Sequence, residues 1–243
     1  MDGQLRDKVA SGVAWSMAEK VGTMLLQLAV SLTILRLLNP AIMGVIAIPT
    51  AFLAVAIVIA DSGFSQALIR KGTPTADDYK SVFAFNVGVA LVLYGVLVAL
   101  AGSIARFYDM PEITRIAPVF FLQLPLSAAC AIQNTIFVRT FRFALLSKVT
   151  FASWFIAGMV AIGLALAGFG IWCIVVQRVL QASVRALLLW WLSDWRPCGK
   201  CSRRPLREMA PYSFSLLATD FISTLYNNCL LYTSDAADDL LCV

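Results

Sequence analysis

Apolar residues along this chain fall into long blocks, each separated from the next by a short cluster of Arg, Lys, Pro or Asp. A helix needs about 20 such residues to cross the hydrocarbon core of a bilayer. The pattern predicts spans near 11–37, 42–67, 81–105, 116–138, 145–169 and 171–193, with a seventh beginning near 208. The breaks carry turn chemistry: Asn39-Pro40, Gly72-Thr73-Pro74, Asp109-Met110-Pro111 and Gly168-Phe169-Gly170 all favour a turn over continued helix. These connections are short, so neighbouring helices are expected to run antiparallel. The fold class is therefore an all-α integral membrane protein with six complete transmembrane helices and part of a seventh.

Loop charge adds an orientation. Thirteen Lys and Arg residues fall before the first span or after the second, fourth and sixth, whereas only Arg36, Arg106 and Arg115 fall on the other side. Cytoplasmic loops are enriched in these residues, which places the N-terminus in the cytoplasm. Trp190, Trp191 and Trp195 fall where an interfacial aromatic belt would lie. Met1–Ala10 carries mixed charge and leads into a stretch too long for a signal-peptide core, so the first span is expected to be retained. The Arg-rich segment from Arg196 to Arg207 reads as a topogenic loop facing anionic lipid.

Composition agrees and removes other classes. The 243 residues are 60% hydrophobic and 14% charged, where a soluble domain has about 45–50% and 25%, and mean hydropathy is +0.82. A net charge of +5 could suggest nucleic acid, but the basic residues sit between apolar blocks and form no continuous stripe. The absence of histidine removes His-based acid–base chemistry and imidazole metal sites. The six cysteines lack the spacing of a disulfide framework. Cys198-Gly199-Lys200-Cys201 has C-x-x-C spacing, with neither a second pair nor a histidine to complete four zinc ligands. No cofactor is expected. An enzyme that handles sugar nucleotides would need a sizeable loop carrying carboxylates, and the longest connection, Arg196–Arg207, is mostly basic.

Polar groups at span depth are costly, so they mark candidate sites. In the first span Gly12, Ser16, Glu19, Thr23, Gln27 and Ser31 recur at spacings of three or four, which lays them on one helix face. Glu19 and Lys20 read equally well as interface residues below a core that begins at Val21. In the sixth span Arg178 and Arg185 stand seven residues apart with Gln181 between them on nearly the same face. A shared aqueous cavity explains that placement, and guanidinium suits phosphate oxygens; pairing with Asp61 or Glu19 is the structural alternative. Asp61 closes the second span, and Gln123, Ser127 and Asn134 share a face of the fourth. Interhelical hydrogen bonding is the commoner role for such amides and hydroxyls.

Several segments together resemble the polysaccharide transporter family, the Wzx-type flippases of O-antigen and exopolysaccharide export, in the wider superfamily of multidrug and lipid-linked oligosaccharide exporters. They are Leu5-Arg6-Asp7-Lys8-Val9 with Gly12-Val13-Ala14-Trp15-Ser16, then Leu38-Asn39-Pro40 with Gly44, Asp61 through Ile69, and Gly168-Phe169-Gly170-Ile171-Trp172 with Gln177. The likeness runs from about Leu5 to Asn228. It implies one lobe of a two-lobed flippase, with residues 1–207 as the six-helix lobe and 208–232 as the start of a seventh helix. Thr233–Val243 resembles the non-genomic read-through that ends some translated sequence fragments, and it is set aside as a non-native tail.

The implied function is movement of an undecaprenyl-pyrophosphate-linked oligosaccharide across the bacterial inner membrane for surface polysaccharide or lipopolysaccharide biosynthesis. This is transport, not enzyme catalysis, and a coupling cation and membrane lipids are the other implied partners. The substrate-binding set it suggests is Arg178, Arg185, Gln181, Lys20, Glu19, Gln27 and Asp61. A multidrug or peptidoglycan-precursor exporter of the same superfamily is the near alternative, and a non-transporting membrane subunit the more distant one.

Overall fold

The computed structural model describes the backbone of residues 2–37, 40–61, 63–197 and 203–241, with side chains described for 17, 20–37, 42, 44–61, 63–197, 205–224 and 226. The expectations for Glu19, for the C-x-x-C segment and for the side chains of the 233–243 tail lie outside the described residues. Nine helices are present among the described residues, and no strand: α1 (Asp2–Leu37), α2 (Pro40–Asp61), α3 (Phe64–Arg70), α4 (Ala76–Phe107), α5 (Glu112–Phe120), α6 (Gln123–Arg139), α7 (Phe143–Leu166), α8 (Trp172–Leu192) and α9 (Arg203–Leu241). Six segments are long and apolar enough to cross a membrane, with α5 and α6 forming one of them together. The protein is an all-α integral membrane protein.

The expected turns are where the helices stop. Gly168 and Gly170 adopt positive φ (80° and 56°) at the end of α7, and Asp109 does so (54°) between α4 and α5. The start of α4 is fixed by a capping box: the Thr75 hydroxyl accepts from Asp78 N, and the Asp78 carboxylate accepts from Thr75 N at 2.8 Å. Lys71 Nζ lies 2.8 Å from the same carboxylate and ties the preceding loop to the cap.

Two spans that the hydropathy pattern draws as continuous are broken. The second ends at Asp61, and α3 begins only after Gly63, whose φ of 70° is a left-handed conformation that stops a right-handed helix. The fourth is split at 121–122 into α5 and α6. Pro125 has no N–H to return to Phe121 O, so the helix cannot run through, and Leu124 N makes the shorter bond to that oxygen instead at 2.9 Å. Hydropathy averages over both breaks because the flanking residues are equally apolar.

The bundle is layered as α1 on α7, α7 on α8, α8 on α6, α6 on α4 and α4 on α2, with α9 against α2, α3 and α4. Small residues allow the closest approach. Ser153, Ala157 and Ala161, spaced by four along α7, are fully buried, and Gly158 meets Val30 of α1. The main core packs Val30 and Ile34 with Phe120, Phe121, Leu124 and the α8 residues Cys173–Val175. The loops of one end gather polar contacts. Arg139, at the end of α6, donates to the carbonyls of Leu68, Ile69 (3.0 Å), Lys71 (2.6 Å) and Gly72 (3.0 Å), so it caps α3 from another helix. Tyr79 and Phe83 of α4 meet Trp190 and Trp195 edge to face at centroid distances of 5.8–6.4 Å. Trp191 points outward, 77% exposed, as an interfacial residue would.

Candidate functional site

A cavity of about 190 Å³ lies where α2, α3, α4, α6 and α8 meet, in the half of the bundle nearer the basic loops. Each polar group in it is placed by a local feature of its helix. Asp61 is the last residue of α2, and Ser65, four residues on in the first turn of α3, donates its Oγ–H to Asp61 Oδ1 at 2.5 Å. Ser127 and Asn134 stand seven residues apart on α6, on one face, and Asn86 projects from α4 opposite them. Arg185 reaches in from α8, and its Nη2 donates to Asn134 Oδ1 at 3.2 Å. Ile57, Ala60, Leu124, Ala128 and Ala131 supply an apolar floor, and Cys130 lines the same wall as a free, buried thiol.

Satisfaction of these groups is uneven. Gln133, fully buried on α6, finds partners when its amide nitrogen faces Ala129 O (2.8 Å) and its oxygen accepts from Trp190 Nε1 (3.2 Å). Asn86 is equally buried, at 0% exposure, yet neither Oδ1 nor Nδ2 has a partner, and the Nε of Arg185 is likewise unpaired. An unpartnered buried polar atom is costly, and native proteins leave few. The orphan atoms belong to residues that border this cavity, and each has almost no accessible surface of its own. Among the described residues, no ion pair within 4.0 Å joins Arg185 to Asp61.

The substrate-binding set expected from sequence is divided by the fold. Arg185 and Asp61 come together in the cavity. Arg178 does not line it: seven residues is about 10.5 Å along the helix axis, and its guanidinium instead lies over the Trp154 ring of α7, 5.7 Å from the centroid. Gln181 is half-buried on α8 and also outside the cavity lining. Lys20 is exposed and Gln27 half-buried on α1, which packs chiefly against α7, away from the cavity. Ser65, Asn86 and Asp220 were not singled out by sequence reasoning. Asp220 of α9 accepts from Gln66 Nε2 at 3.3 Å, one residue beyond Ser65. The available signal was a lone amide in the third apolar block and a lone carboxylate in the seventh.

A second cavity, about 500 Å³, lies between α3, α4 and α9 and is walled mostly by Phe64, Phe85, Phe214, Leu217 and Pro211. Its apolar lining suits hydrocarbon and not a charged group.

Fold and cavity together define a multi-pass helical membrane protein that holds charged and polar groups inside its bundle. The chain belongs to the family described as polysaccharide biosynthesis protein, whose pattern matches residues 33–231. It is 26% identical over 212 residues to the succinoglycan biosynthesis transport protein ExoT of Rhizobium meliloti (strain 1021), covering 87% of this chain and 43% of that protein. It is 23% identical over 177 residues to the teichuronic acid biosynthesis protein TuaB of Bacillus subtilis (strain 168), covering 70% and 36%. An uncharacterised membrane protein in the cps region of Klebsiella pneumoniae is 21% identical over 218 residues, covering 87% and 44%. The chain thus spans less than half the length of these relatives. No solved structure matches it.

Proposed function

We propose that this chain forms one lobe of a flippase that moves an undecaprenyl-pyrophosphate-linked oligosaccharide across the bacterial inner membrane during surface polysaccharide synthesis. The observation that carries the reading is the polar cavity inside a membrane bundle, in a family of polysaccharide biosynthesis proteins with a transport protein among its relatives. The N-terminus lies in the cytoplasm on the strength of thirteen loop cations against three, so the cavity lies on the side of the cytoplasmic leaflet, from which the cargo is moved.

Arg178 and Arg185 supply two guanidinium groups to the pyrophosphate. Both keep their charge at membrane depth, and each offers a fork of donors that matches phosphate oxygens. Arg185, nearer the cytoplasmic end of α8, meets the head group first, and Arg178, beside Trp154, meets it about two turns further along the helix. The opposing lobe would close the path, and the lipid tail stays in the bilayer, as in other transporters built from repeats.

The test is complementation of a flippase-deficient strain by a complete protein containing this segment, with lipid-linked oligosaccharide followed from inner to outer leaflet. Arg178→Gln with Arg185→Gln should reduce export by at least tenfold at normal expression. Export at the unsubstituted rate would sink the assignment of the two arginines, and export of a drug or peptidoglycan precursor in place of the oligosaccharide would sink the cargo.

A further inference from the structure

The second cavity is a recess walled by three helices, not a stretch of open surface. Phe64 of α3 and Phe85 of α4 face Pro211, Phe214 and Leu217 of α9 across about 500 Å³, within the range of pockets that hold small ligands, about 300–1,000 Å³. Packed proteins leave few voids larger than a water molecule, and an apolar recess at membrane depth takes hydrocarbon.

The rim toward the basic loops is cationic. On α9, Arg207 precedes Pro211 and Phe214 by four and seven residues, so it stands on the same helix face, about one turn before the cavity begins. Its side chain is exposed. On α3, Arg70 lies six residues past Phe64 and holds its guanidinium 4.6 Å from the centroid of the Tyr212 ring of α9. Two carboxylates on the walling helices are already matched: Asp78 of α4 and Glu208 of α9 both meet Lys71, at 2.8 and 3.9 Å. A basic group above an apolar recess between helices is the arrangement that takes an anionic lipid, with the head group at the basic end and a chain below it. Depth selects the chain. From Ala210 to Leu217 the cavity follows α9 for about 10.5 Å, and half of a hydrocarbon core is about 15 Å. One acyl chain of one leaflet fits that depth, whereas an undecaprenyl tail is several times longer.

We infer that the cleft between α3, α4 and α9 is a site for an anionic glycerophospholipid of the membrane itself, with one acyl chain against Phe64, Phe85, Phe214 and Leu217 and the phosphate at Arg207, beside Arg70. The lipid then fills the seam that joins α9 to the preceding spans. This site is separate from the polar cavity and does not depend on the cargo proposed above.

The full chain is placed in phosphatidylcholine vesicles holding a trace of phosphatidylglycerol with a diazirine midway along one acyl chain, irradiated, and mapped by peptide mass spectrometry. Labelling should centre on the cavity residues of α9 and exceed that at Met159 and Leu187, which are 58% and 70% exposed on α7 and α8. A phosphatidylcholine probe with the same chains should label the cavity about fivefold less, the factor expected of one basic residue beside an anionic lipid. Arg207→Gln should remove that preference and Arg207→Lys should keep it. Ala210→Phe, which narrows the recess, should lower labelling there by both probes and leave Met159 and Leu187 as they were.

Equal labelling by the two probes, or a preference that survives Arg207→Gln, would reduce the cleft to ordinary lipid contact and overturn the site. So would displacement of the probe by undecaprenyl phosphate but not by unlabelled phosphatidylglycerol, which would assign the cleft to the tail of the cargo.

Discussion

A Cβ at position 63 would sit 2.7 Å from the Ser213 carbonyl oxygen, on a backbone already at φ 70°. Both effects act against any side chain: left-handed backbone costs about 1–3 kcal/mol for a non-glycine residue, and overpacking costs about as much again. Gly63→Ala should therefore lose about 2–6 kcal/mol, read as a lower thermal midpoint in detergent, and α9 should become more open to protease. Arg139 works through charge. Its guanidinium collects four carbonyls from Leu68 to Gly72, and hydrogen bonds to a charged donor contribute about 1.5–3 kcal/mol. Arg139→Met should free the end of α3 and speed tryptic cleavage after Arg70 and Lys71. Arg139→Lys should rescue little, because an ammonium lacks the planar fork.

At this scale the sequence showed charge well and satisfaction poorly. Asp61 and Arg185 stand out in apolar blocks because ionised groups are rare there. Asn86 and Ser65 do not, since amides and hydroxyls in spans usually bond a neighbouring helix. Only coordinates show that Asn86 lacks such a bond.

Among the elements, hydropathy located every span but not the two breaks, at Gly63 and at 121–122. The first break falls inside the site, between Asp61 and the Ser65 that bonds it four residues on. The same logic governs the joint between α1 and α7, where a Cβ on Gly158 would meet Val30 Cγ2 at 2.9 Å. Gly158→Ala should cost about 1–3 kcal/mol by overpacking. Val30→Ala alone should cost about as much by leaving a void, whereas the pair should cost less than the sum. A double-mutant cycle on thermal midpoints measures that coupling, and simple additivity would show that the two helices do not meet there.

For the whole molecule, the alternation of spans draws Lys71, Arg139 and Arg196 to one end, together with the α4 cap and the Trp195 cluster. The proposed orientation makes this the cytoplasmic end. Single cysteines placed at 73 and 109 in an otherwise cysteine-free chain should react oppositely with a membrane-impermeant maleimide in intact cells, position 109 being labelled and 73 protected. The reverse pattern would invert the topology. Loop charge alone carries that proposed orientation. The cavity was only half legible, because helix periodicity puts Arg178 and Arg185 on one face but says nothing of where along the axis a cavity lies.

The attachment of α1 chiefly to α7 also sets a timetable for assembly. The first helix ends at Leu37 and its partner at Leu166, so at ribosomal speeds of about 5–20 residues per second the two are separated by roughly 6–26 s of synthesis. During that interval α1 sits in lipid with its Thr23 and Gln27 side chains lacking the surface they later pack beside. A nascent chain stalled before α7 should leave α1 crosslinkable to the insertion machinery or to lipid, and release past Leu166 should remove the crosslink. This delayed joint is the same one that admits no methyl group on Gly158, so errors there would appear first as degraded newborn protein.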